Sequence, residues 1–249
     1  MSLLFKECLI NIPRTYNGLP SVTSILDVLE DPLYIRKWKE AAEDPSVVEA
    51  TLNTARQRGT YVHLVAADYY KKGVKNYDES SLQQYKAEHE LPELTPKIMK
   101  FLNGFNKFTS LYDVVPLSVE EPFASTELGY GGTPDLIGYL EGDLCLIDWK
   151  TSSTAKLNED SKLKYFIQLS AYVADWNLRN PNNLIKKMIL VPITDSRTSG
   201  LGDIEIVDSN ILIRNYFLQF LECKEEFNRL WKLHASYPNG REILSSQEI

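Results

Sequence analysis

The sequence predicts an α/β fold in one domain, with a central mixed sheet flanked by helices and an N-terminal helical region. Three observations predict it. Alternating apolar residues mark two adjacent strands between Gly131 and Lys150. Ahead of them, Val48, Leu52, Ala55, Gly59, Val62, Ala66 and Tyr69 form a stripe at spacings of four and three, the pattern of a long amphipathic helix. Behind them, a helical stretch over 161–180 leads into an apolar strand at Lys187–Thr194. The 249 residues divide into a mainly helical part (1–110), a sheet core (111–210) and a C-terminal helix and tail (211–249), without a linker or internal repeat.

In chain order, Ser21 or Thr23 caps a short helix through Leu29, which the Asp31-Pro32 step ends or bends. Leu33 to Ala42 reads as a second helix with Trp38 packed. Asp44-Pro45 starts the long helix, with Pro in its favoured first turn. Gly59 interrupts the stripe of that helix at a cost of about 1 kcal/mol relative to Ala, which implies a close approach to its backbone. His63 follows one turn later. Lys71 to Pro96 is polar, with Lys71-Lys72-Gly73 and Asn76-Tyr77-Asp78 reading as loop; it forms either an arch over a site or a solvated connection. Leu94-Thr95-Pro96 opens a helix through Phe108.

Val114 to Phe123 alternates as a strand, with Val115, Leu117, Val119, Glu121 and Phe123 on one face and Glu120 opposite. Neither glutamate is assigned a role. The run Gly131 to Gly138 and the run Leu144 to Lys150 follow as paired strands. Ser161 to Asn180 is a helix with Gln168 and Tyr172 at i and i+4 on one face. Lys187 to Thr194 is a buried strand, Asp203 to Val207 a shorter one, and Ile211 to His234 the closing helix. Residues after Tyr237 are expected to fray.

The strand pair carries the chemistry. Alternation puts Leu144, Leu146, Asp148 and Lys150 on one face and Cys145, Ile147 and Trp149 on the other. Whether Asp135 joins the first face depends on the turn. A two-residue Gly142-Asp143 loop pairs Glu141 with Leu144 and Asp135 with Lys150, gathering both carboxylates and the amine. A three-residue loop without a bulge turns Asp135 to the Trp149 face.

Two carboxylates roughly 5 to 8 Å apart across a strand pair can hold Mg2+ or Mn2+, hard ions that prefer oxygen ligands. An adjacent ammonium can orient a water and stabilise developing negative charge, an arrangement suited to phosphodiester hydrolysis. An Asp-x-Lys pair by itself is more often a weak surface ion pair.

Here the pair has company. Pro134-Asp135 followed by Asp148-Trp149-Lys150 resembles the signature of the PD-(D/E)XK nuclease superfamily. Gln168-x-x-x-Tyr172 and Gly59-x-x-x-His63 resemble motifs of its RecB-like branch. Leu19-Pro20-Ser21-Val22-Thr23, Trp38, Arg58-Gly59-Thr60 and Ile147-Asp148-Trp149-Lys150-Thr151-Ser152 are similar to the mitochondrial genome maintenance exonuclease group and its phage and bacterial relatives. The resemblance implies a restriction-endonuclease-like fold and a Mg2+- or Mn2+-dependent DNA exonuclease, acting on single-stranded ends in replication, repair or recombination. It further implies that Asp135, Asp148 and the Trp149 carbonyl ligate metal, that His63 ligates or orients, and that Lys150 assists the attacking water. Thr151, Gln168 and Tyr172 would handle substrate. The same scaffold also suits an endonuclease, an RNase, or a nucleic-acid-binding module that cuts nothing or depends on a partner.

Composition bounds these readings. Three cysteines, Cys8, Cys145 and Cys223, lack CxxC spacing and cannot supply the four ligands of an iron–sulfur cluster. No apolar run reaches the length of a membrane span. Met1 to Asn17 lacks the features of a secretory signal or mitochondrial transit peptide, so a cytoplasmic location is expected. The net charge of -7 is unusual for a DNA-binding protein. Local charge differs: from Asn53 to Ser110 there are nine Lys or Arg against six Asp or Glu, interleaved with aromatics. That mixture suits a single-strand channel, although at helical spacing most of the rings belong to a core.

Overall fold

A computed structural model describes residues 3–7, 13–74, 79–89, 91, 93 and 95–236. The expected loop at 76–78, Leu94, Cys8 and the tail after Tyr237 lie outside these residues. The chain opens with β1 (Thr15–Tyr16) and β2 (Leu19–Pro20), a small hairpin. Ser21 then caps α1 (Val22–Leu26), its Oγ accepting from the Ser24 N–H at 3.0 Å. The helix stops short of the expected Leu29, which instead bridges Phe5 as a strand-like pair. α2 (Leu33–Glu40) buries no residue. Trp38, expected to be packed, is 39% exposed, because a single amphipathic turn pattern does not supply a surface to pack against.

α3 (Pro45–Lys72) begins as expected, with Asp44 accepting from the Ser46 N–H at 2.8 Å, and ends at Gly73 in the left-handed region, φ 68°. Only its later turns are buried, at Tyr61, Val62, Val65 and Ala66. α4 (Glu79–His89) is a helix within the stretch read as polar and punctuated; its apolar positions are too few to make a stripe. α5 (Pro96–Leu111) starts at the Thr95 cap.

β3 (Val114–Val119) carries a register shift between Pro116 and Ser118. The shift splits the expected face: Val119 is buried together with Val114, while Val115 and Leu117 face solvent. β4 (Phe123–Ser125) pairs with β5 (Tyr130–Gly132) in a separate two-stranded sheet, so the single strand expected from Gly131 to Gly138 is divided. β6 (Leu136–Leu140) resumes after Asp135 and pairs antiparallel with β7 (Asp143–Ser152).

The turn between them is Glu141-Gly142, with φ of 53° and 84°, rather than Gly142-Asp143. Two positive φ values suit this pair, and they move each partner by two residues, so Ile137 faces Leu146. A shift of two preserves the faces. Continued by one pleat, the ladder brings Asp135 opposite Asp148.

α6 (Glu159–Arg179) crosses from β7 to the parallel β8 (Lys187–Thr194), β9 (Glu205–Val207) forms the far edge, and α7 (Asn210–Ser236) closes the chain. The result is a five-stranded mixed sheet in the order β3-β6-β7-β8-β9, consistent with a restriction-endonuclease-like fold. β7 divides two cores. Leu144 and Leu146 join residues of α1, α6 and α7 on one side, and Cys145, Ile147 and Trp149 join residues of α3 and α5 on the other. None of the described helices is long and apolar enough to cross a membrane.

Candidate metal centre

His63, Glu120 and Asp135 converge where α3, the end of β3 and the start of β6 meet. One donor atom from each lies within 4.8 Å of the other two. His63 Nδ1 stands 3.2 Å from Glu120 Oε1 and 3.3 Å from Asp135 Oδ1. The remaining Asp135 oxygen accepts from the Trp149 N–H at 2.9 Å. Asp135 is thereby fixed to the strand that carries Asp148 and Lys150. Asp148 lies beside this cluster, with Oδ2 2.7 Å from Lys150 Nζ. Both aspartates are buried.

Glu120 was not among the expected site residues. It follows the β3 shift at φ 46°, a region that costs a non-glycine residue about 1 to 2 kcal/mol. Its backbone N–H donates to the Asp135 carbonyl at 3.0 Å. The irregular pairing aims Glu120 at His63, while Glu121 is exposed and accepts from Ser118 Oγ at 3.0 Å. Simple alternation misses this because it counts through the shift. Two signals were available in the sequence: Pro116, which an uninterrupted strand disfavours, and the Val-Glu pair before Pro122-Phe123, which matches a pattern of the resembled family at Glu120.

The electrostatics follow from crowding charges out of water. Burial alone would lower the His63 imidazolium, but the carboxylates of Asp135 and Glu120 outweigh it and raise the group to about 10. Burial opposes ionisation of Asp135, and His63 and Lys150 overcome it, leaving that carboxyl below its ordinary value. Asp148 goes the other way, up to about 6: burial and the neighbouring Asp135 charge outweigh Lys150. Lys150 is raised against the pull of burial by Asp148 and Asp135, so it is an ammonium and a hydrogen-bond donor.

The other expected residues are placed as follows. The Trp149 ring packs away from the cluster, against Tyr70, Phe105 and Phe108. Thr151 lies toward α3, where a Cβ built on Gly59 would meet its Oγ1 at 3.7 Å, an ordinary contact. The close approach expected at Gly59 is therefore a loose one. Gln168 Oε1 accepts from Lys150 Nζ at 3.4 Å, and Gln168 Nε2 donates to the Tyr172 hydroxyl at 3.0 Å. Tyr172 is buried, its ring edge-on to Phe123.

One imidazole and two carboxylates around a common point form a donor set that fits a hard divalent ion. In this geometry the His63 imidazole stands within reach of both carboxylates. Asp148, expected as a ligand, lies outside that set of three, with its Oδ2 turned to Lys150.

The family model of the PD-(D/E)XK nuclease superfamily matches residues 33–183. Among solved structures, the chain is similar to a candidate exonuclease from Eubacterium rectale, with 16% identity, 74% of this chain and 68% of that one covered, and a TM-score of 0.45. It is also similar to an alkaline exonuclease from Laribacter hongkongensis, with 15% identity, 69% and 92% covered, and a TM-score of 0.31. The same alkaline exonuclease in complex with dAMP gives 17% identity over the same shares and a TM-score of 0.32. No curated protein sequence matches the chain.

Proposed function

The chain belongs to the PD-(D/E)XK nuclease superfamily, whose members use divalent metals, and on that premise we propose that it is a Mg2+- or Mn2+-dependent deoxyribonuclease. Its action is exonucleolytic, at single-stranded DNA ends, in replication, repair or recombination. The observation that carries the metal-dependent reading is the convergence of His63, Glu120 and Asp135 beside the Asp148–Lys150 pair. The exonuclease and single-strand parts rest on the motif resemblance.

His63, Asp135, Asp148 and the Trp149 carbonyl, with Glu120 added, would hold the ion. When bound, it polarises a phosphoryl oxygen and makes a bound water more acidic. The chain's own residues do the rest. Asp135, tied to the Trp149 N–H, keeps the start of β6 and the end of β7 in register. Lys150 presents a charged donor to the attacking water and to the phosphate as negative charge grows. Gln168 touches Lys150 directly, and Tyr172 acts through the Gln168 amide. Thr151 offers a hydroxyl to a phosphate on the α3 side.

The test is cleavage of end-labelled single-stranded linear DNA beside a covalently closed circle, with Mg2+, Mn2+ or EDTA, for wild type and Lys150→Ala. Metal-dependent loss of the linear strand alone, abolished by Lys150→Ala, is the expected result. Cutting of the circle would make the activity endonucleolytic. DNA binding without cleavage under any metal would make the protein a binding module.

A further inference from the structure

The face of α6 that carries Gln168 and Tyr172 carries a third side chain, Tyr165. It precedes Gln168 by three residues and Tyr172 by seven, so the three stand in one row along the helix. Lys150 Nζ lies over the Tyr165 ring, 4.7 Å from its centroid. Its other neighbours are Asp148 Oδ2 at 2.7 Å and Gln168 Oε1 at 3.4 Å. The ammonium is enclosed by a carboxylate, an amide oxygen and an aromatic face. Little water remains around it, since the Lys150 side chain is only 16% exposed.

Each wall does something different. Asp148 supplies opposite charge, and Gln168 a neutral acceptor. Both restrain Nζ from their own sides. The ring covers a third side and attracts the cation through its quadrupole. Among the described residues no hydrogen bond engages the Tyr165 hydroxyl. The ring face, not the phenol, is what Lys150 meets.

We propose that Tyr165 is a positioning residue for Lys150, holding the ammonium beside Asp148 in the pose from which it reaches substrate. The catalytic part of this assignment rests on the nuclease reading above; the positioning part does not.

The test uses the full chain with Tyr165→Phe, which keeps the ring, and Tyr165→Leu, which keeps apolar bulk without it. On a single-stranded oligonucleotide with Mg2+, Tyr165→Leu is expected to lower kcat by roughly 10- to 30-fold with KM within about twofold, and Tyr165→Phe to stay within about twofold of wild type. Equal loss in both variants, or a loss in Tyr165→Leu carried by KM, would overturn the proposal.

A second readout does not depend on cleavage. In protein labelled with 13C-lysine, the Lys150 ε-methylene signal, assigned by its loss in Lys150→Arg, is expected to be shifted upfield by the ring. The shift should persist in Tyr165→Phe and vanish in Tyr165→Leu. A Lys150 signal at the position of exposed lysines in wild type, or one unmoved in Tyr165→Leu, rejects the positioning role even if DNA is cut. The shift together with no cleavage keeps positioning and rejects only the nuclease reading. Tyr165→Met carries the same expectations should Tyr165→Leu not fold.

Discussion

The backbone N–H of Glu120 donates to the carbonyl of Asp135 at 3.0 Å, while the side chains of both residues meet His63. One main-chain bond thus sets the separation of two candidate ligands. It also explains why a non-glycine residue is held at φ 46°.

Replacing Glu120 separates these contributions. Glu120→Gly is expected to be more stable than Glu120→Ala by about 1 kcal/mol, because glycine accepts positive φ freely. Both should lose most Mn2+ affinity. Urea unfolding and calorimetric Mn2+ titration check the two halves, and equal stability of the variants would contradict the backbone argument.

Gly59 lies inside a long helix with room for a methyl group beside Thr151. Gly59→Ala is therefore expected to raise stability by about 0.5 to 1 kcal/mol. A lower urea midpoint would show that a tighter neighbour occupies the space.

Trp149 contributes through its main chain near the site and through its ring in the core. Its Nε1 is buried without a hydrogen-bond partner among the described residues. Trp149→Phe removes that orphan and is expected to cost less than about 2 kcal/mol, against about 3 to 5 for Trp149→Ala. Cleavage should survive Trp149→Phe, and its loss in a stably folded variant would assign the indole a direct role.

Stability should fall at alkaline pH. Burial pushes the Cys223 thiol up to about 12 and raises the Tyr130 and Tyr172 hydroxyls, whose ordinary values are 9.0 and 10.0 respectively for thiol and phenol. Below about pH 8 neither state ionises appreciably and the contribution is intact. Above it the unfolded chain sheds protons that the folded chain keeps, so unfolding gains. The urea midpoint at pH 10 should lie below that at pH 8, with a smaller drop for Cys223→Ala.

The sequence made the faces of β7 legible because a period of two survives any even shift of register. That is why Asp135 and Asp148 share a face although the turn falls one residue earlier than expected. Caps were equally readable: Ser21, Asp44 and Thr95 each accept a local N–H, an interaction complete within a few residues. Alternation alone could not assign Glu120, which only the family pattern singled out, because its direction depends on a register shift between paired strands. Tyr165 was hidden for a similar reason, since nothing in its own helix announces that Lys150 lies beneath it. Trp38 shows the opposite failure, an apolar residue credited with a partner that the fold does not bring.

β7 separates two cores, and the site draws on both: His63 comes from a helix anchored in one, Tyr165 and Gln168 from a helix anchored in the other. Its members span more than one hundred positions of the chain and meet only when the sheet has closed on each side. Folding dominated by such non-local contacts is slow compared with helix formation. Recovery of cleavage after dilution from denaturant is therefore a timer for the last docking event. Helical ellipticity should return first, and the chemistry only when the second helical layer seats.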